Sequence, residues 1–184
     1  MTWWLVSRSA GIVALLAMTV SVVLGLLMAN RVVKGRRPAA LHEQLSLTAL
    51  GALALHAEAL LGDHWLHPGL AGITVPFAIG YRPLAVAAGI VGGYLAALLG
   101  LSFYARRRFG ARRWRQLHRF TVVAWGMAVV HALTAGTDAA LLRIPVLASA
   151  GVVVALLSAR LLGTRSGSRR SSTPRTTVSA RSPG

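Results

Sequence analysis

Residues 41–63, LHEQLSLTALGALALHAEALLGD, decide how the chain is read. The stretch is long and apolar enough to lie in a bilayer, yet it carries His42 and His56, fourteen residues apart. A second stretch, residues 117–138, LHRFTVVAWGMAVVHALTAGTD, carries His118 and His131, thirteen apart. An ionisable side chain inside a membrane is costly and marks a functional site by default. A neutral histidine hydrogen-bonded to a neighbouring helix is the plainer alternative. Two matched pairs weigh against it.

Composition sets the medium. The chain is 55% hydrophobic and only 13% charged, where a soluble domain is about a quarter charged. Residues 10–29 and 83–105 hold no charged side chain. About twenty apolar residues cross the roughly 30 Å hydrocarbon layer. The net charge of +16 lies between the apolar blocks, where it orients a membrane protein and meets anionic lipid. No nucleic-acid partner is implied. The absence of cysteine excludes disulfides and iron–sulfur clusters within the chain.

The fold class expected is an all-α, polytopic transmembrane helix bundle. Its five spans fall at about 8–29, 41–62, 83–105, 117–137 and 142–162. With Arg8, Arg143 and Arg160 at the span ends counted with the adjoining segments, Lys and Arg alternate between the spans as 1, 4, 1, 6, 1 and 6. That pattern puts the N-terminus outside and the C-terminus in the cytoplasm of a multi-pass cytoplasmic (inner) membrane protein. A signal peptide over residues 1–29 fits less well, because the apolar block is too long and the stronger positive charge follows it. Residues 1–163 form the membrane domain. Residues 164–184, rich in Ser, Thr and Arg, are expected to be a disordered basic tail resting on anionic lipid.

Spans 2 and 4 both start at the cytoplasmic side, so His42 is expected to face His118, with His56 facing His131 roughly 20 Å further out. Two imidazoles at one depth suit the axial positions of a haem iron. Zinc wants four tetrahedral ligands, which this pattern lacks. Iron held by two histidines has no open position, which favours electron transfer over oxygen binding. One angle resists: at about 100° per residue, thirteen residues turn His131 roughly 140° away from His118. A π-bulge or kink near Gly126 would repair it. Gly51 and Gly126 lie near midspan, where small residues admit a close helix or a flat cofactor. Trp125 suits packing, or a place between the haems.

The histidine spacing, with YRPLAVAAGIVGGYLAALLGLSFYARRRFGARRWRQLHRFTVVAWGMAVVHAL at residues 81–133, resembles the ferric reductase-like transmembrane domain family, in its MsrQ/YedZ-like branch of haem-binding membrane subunits. With residues 41–63 the likeness covers about half the chain. It implies one or two b-type haems held by His42, His56, His118 and His131, with electrons crossing from a cytoplasmic donor to an outer acceptor: ferric iron, oxygen or an exported partner reductase. The chain departs from the oxidases and ferric reductases in that residues 164–184 cannot form a flavin or nicotinamide domain. It is therefore read as an electron-transfer subunit of an oxidoreductase, with no catalytic residue of its own. Electrons are expected from a separate protein, from quinol, or from a flavin or quinone at the cytoplasmic face.

Lesser features surround this set. Arg119 and Arg37 could grip propionates, although orientation alone explains both. Asp63, His64 and His67 sit in an outer loop, where the two histidines could share a metal or merely be polar. Glu58 is a proton-relay candidate or an interfacial acid. Trp3, Trp4 and Trp65 suit an outer aromatic belt and Trp114 an inner one. The competing reading is a non-redox transporter or structural membrane protein, its histidines used for packing or proton relay.

Overall fold

A computed structural model describes residues 2–136 and 139–170. The described residues form helices and loops without a strand: α1 Thr2–Ala29, α2 Arg36–Leu61, α3 Gly69–Thr74, α4 Pro83–Leu101, α5 Arg106–Phe109, α6 Ala111–His118, α7 Thr121–Ala135 and α8 Ala139–Arg170. Four are long and apolar enough to cross a membrane: α1, α2, α4 and, within α8, Leu142–Leu162. These match four of the expected spans. The expected span 117–137 is broken instead. Helix α6 ends at His118, and α7 adds only 15 residues, about 22 Å of helix against a hydrocarbon layer of roughly 30 Å. Helix α8 runs through residues 164–170 of the expected tail, and residues 171–184 lie outside the described residues.

Local chemistry sets the boundaries. At the end of α1, Val32 N–H bonds to Leu27 O and Arg31 N–H to Met28 O, both 3.0 Å, with Arg31 left-handed at φ 63°. This is a Schellman closure, and it leaves a short link that lays α2 antiparallel to α1. Pro83 starts α4, where its missing N–H costs nothing. Just before it, Tyr81 and Arg82 donate to the Ala135 and Thr134 carbonyls at the end of α7. A guanidinium there also suits the negative end of that helix.

Helix α1 packs along α2, and α4 along α7, with α8 lying against α1 and α7. The apolar core joins Leu15, Val22 and Leu26 of α1 to Trp125 and Val129 of α7 and Val146 and Val153 of α8. Trp125 is 5% exposed and donates Nε1–H to Thr19 Oγ1 at 2.9 Å, so its role is packing. Trp125→Phe deletes that bond and leaves Thr19 without it; the expected cost is about 1 kcal/mol, read as a lower unfolding midpoint in detergent. Large apolar side chains such as Leu84, Leu98 and Ile144 are 70–80% exposed, as a lipid-facing surface requires.

Candidate functional site

The expected partnership of spans 2 and 4 takes a different form from side-by-side packing. Helices α2 and α7 are not a closely packed pair. A cavity of 1440 Å³, lined by all four histidines, opens between them. It exceeds the roughly 300–1,000 Å³ usual for small-molecule sites. Across it, the His42 and His118 ring centres stand 6.1 Å apart with planes at 88°. The His56 and His131 centres stand 6.3 Å apart at 75°. The first pair lies at the arginine-rich end, and the second lies fourteen residues along α2.

The thirteen-residue mismatch is resolved, but not at Gly126, which lies inside continuous α7. The helix breaks at Arg119–Phe120. Phe120 N–H bonds back to Leu117 O at 3.0 Å, a tightened final turn, and the Thr121 hydroxyl donates to the His118 carbonyl at 2.8 Å. That two-residue turn resets the phase between α6 and α7, and both rings reach the cavity.

Helices α1 and α4 seat the rings. His42 Nδ1 bonds to the Ser21 carbonyl at 2.9 Å, His56 Nδ1 to the Ser7 carbonyl at 2.7 Å and His131 Nδ1 to the Ala85 carbonyl at 2.9 Å. A carbonyl only accepts, so each Nδ1 carries the proton and Nε2 keeps a lone pair for a ligand. Four residues beyond each carbonyl lies a glycine. A Cβ on Gly11 would come within 2.9 Å of His56, on Gly25 within 3.2 Å of His42, and on Gly89 within 2.6 Å of His131. Ser21 Oγ further bonds to Ser46 Oγ at 2.8 Å, and Ser46 donates to the His42 carbonyl at 2.8 Å. Sequence reasoning missed these seats. Their signal was present, since Ser7 and Ser21, and Gly11 and Gly25, repeat at the fourteen-residue spacing of His42 and His56.

The ring-centre spacing of the two pairs is compatible with two imidazoles sharing one iron. Metal–imidazole bonds of roughly 2 Å, plus about 1.1 Å from each nitrogen to its ring centre, separate two opposed imidazoles by about 6.2 Å. Both pairs meet that distance. Among the described residues no group of three or more His, Cys, Asp or Glu could hold a metal ion, so a bare-ion site of that kind is not supported. No protein-family model, curated protein or solved structure matches the chain.

Other expectations fall into place or out of it. Arg119 lines the cavity, joined by Arg8, Arg115 and Arg160, which the sequence did not single out. Arg37 is exposed and does not line it. Gly51 lines the cavity with nothing within 4 Å of its Cβ direction, while Gly126 does not line it. Trp114 stacks on His118, ring centres 4.7 Å apart, and lines the cavity. Glu58 is exposed. Buried Asp63 closes a turn by accepting Trp65 N–H at 2.9 Å. His64 and His67 are exposed, their ring centres 6.1 Å apart. Trp3 lies over Gly62, Trp4 under the Arg8 guanidinium, and Trp65 against Tyr81.

Proposed function

We propose that this chain is a membrane b-type cytochrome of two haem levels that carries electrons across the membrane. One observation carries the reading: two histidine pairs stand at bis-imidazole spacing on the walls of one cavity. His42 and His118 would hold one haem and His56 and His131 the other. A haem held there would supply a one-electron iron couple. The Nδ1–H bonds to Ser21, Ser7 and Ala85 fix ring orientation and raise the basicity of the ligating nitrogens. Arg119, with Arg115 and Arg160, would meet propionate carboxylates at the arginine-rich end, since guanidinium grips carboxylate in a fork. The apolar cavity wall limits water around the levels.

In this reading α6 and α7 together complete a fifth span. The N-terminus is then outside and the C-terminus in the cytoplasm of the cell membrane, by the distribution of arginines. The arginine-rich level is the cytoplasmic one. Electrons would come from a separate protein, from quinol, or from a flavin or quinone at that face. They would leave to ferric iron, oxygen or an exported reductase. A ferric reductase-like subunit is the class this describes.

One observation favours the competing packing role: His42, His56 and His131 already bond to neighbouring helices. Reduced-minus-oxidised absorption spectra separate the two. The haem reading expects sharp low-spin bands from protein purified in detergent after haem-supplemented expression. A colourless, folded preparation supports packing.

A further inference from the structure

Two of the chain's six histidines, His64 and His67, do not line the cavity. They lie in the link between α2 and α3, GDHWLHPG at residues 62–69, and hydrogen bonds fix the shape of that link. The Asp63 carbonyl accepts His67 N–H at 3.1 Å, and the buried Asp63 carboxylate accepts Trp65 N–H at 2.9 Å. His67 is left-handed at φ 41°, a conformation that its Cβ disfavours and the following Pro68 disfavours further. Strain held at an exposed turn points to a use. Here the turn brings two exposed rings together, their centres 6.1 Å apart and their planes at 62°. Neither ring takes a hydrogen bond from the described residues. The local charge suits a cation. Residues 38–81 hold no Lys or Arg, and Glu58 and Asp63, two of the chain's four acids, closely precede the pair.

We propose that His64 and His67 form a copper(II) site on the α2–α3 link, separate from the cavity and independent of the haem reading. Imidazole nitrogen is the commonest protein ligand for such metals. With metal–nitrogen bonds of roughly 2 Å, each ring centre lies about 3.1 Å from the ion. A tetrahedral ion, as zinc prefers, would draw the two centres to about 5.1 Å, whereas opposed ligands leave them about 6.2 Å apart. The 6.1 Å between His64 and His67 matches opposed ligands. Tetragonal copper(II) takes that arrangement, with water in the remaining positions. Copper(II) also heads the divalent first-row metals in affinity for nitrogen ligands. Binding is plain coordination: each ring donates one nitrogen lone pair, and no electron is transferred.

The test titrates copper(II) into the full chain, purified in detergent without a histidine tag, and records low-temperature electron paramagnetic resonance. The native chain is expected to bind about one equivalent more than His64→Ala/His67→Ala, with an axial signal split by two imidazole nitrogens. Both side chains are exposed, so the double variant should keep the native circular dichroism. His67→Gly, which relieves the left-handed backbone, should lose the same equivalent and keep the fold. Copper held elsewhere, including at the cavity histidines of a chain without haem, is common to native and variant chains and cancels in the difference. Equal copper stoichiometry in the native chain and the double variant would overturn the proposal. So would displacement of that copper by equimolar zinc(II), which would mark a tetrahedral site. Both results are read without haem bands, so failure of the haem reading is scored separately.

Discussion

Replacing His56 with Ala is expected to halve the haem content of the purified chain and leave the arginine-rich level intact. The His56 ring stands 6.3 Å from His131 and is seated on Ser7 of α1. Its removal leaves one imidazole at that level, and a single axial ligand holds haem less firmly than two. His42 and His118 lie about 20 Å away along the bundle and share no hydrogen-bond partner with His56. Their level should therefore keep its bands and potential. The mirror variant, His42→Ala, should remove the other component. The check is pyridine haemochrome stoichiometry with a redox titration of each variant. Unchanged haem content in both variants would show that α2 does not supply the ligands.

Gly89→Ala should cost the same level almost as much, although it removes no ligand. A methyl group there would sit 2.6 Å from His131 Nδ1, the nitrogen that donates to the Ala85 carbonyl. The ring must swing off its seat, losing both the bond and the alignment, with an expected loss of about tenfold or more in haem affinity at that level. The three seats should grade by clearance. Gly89→Ala is most severe, Gly11→Ala at 2.9 Å intermediate, and Gly25→Ala at 3.2 Å mildest, because that contact reaches only the edge of the His42 ring. Gly126→Ala, with nothing within 4 Å, is the control and should be neutral or stabilising by up to about 1 kcal/mol. Haem retention measured against chemical denaturation ranks the set. Equal behaviour of Gly89→Ala and Gly126→Ala would contradict the seating role.

The histidine pairs were legible because spacing along a helix is a property of sequence, and fourteen residues return nearly to the same face. The break after His118 was not. Arg119 and Phe120 carry no glycine or proline, and the turn depends on the Thr121 hydroxyl taking the His118 carbonyl. Nor could the sequence say that α1 lies against α2 and α4 against α7. Helices apolar on nearly every face give no amphipathic signal to choose a neighbour. Spans 2 and 4 were expected to stand side by side with a cofactor between them, and the structure puts a cavity there, held open by α1 and α4 rather than by contact of α2 with α7. Trp125 was similarly open: only its contacts with Thr19 and the α1–α7–α8 core decide for packing. The arginines at the cavity wall were visible as charge, but which of them turn inward was not. Arg119, Arg115 and Arg160 do, and Arg37 does not.

The most direct test of the paired histidines is the haem count per native chain, taken with low-temperature electron paramagnetic resonance of the oxidised protein. The account predicts two haems per chain, both ferric low-spin, with strong anisotropy from ring planes 88° and 75° apart. A folded, helical chain that purifies without haem after haem-supplemented expression would contradict it, as would haem that is wholly high-spin.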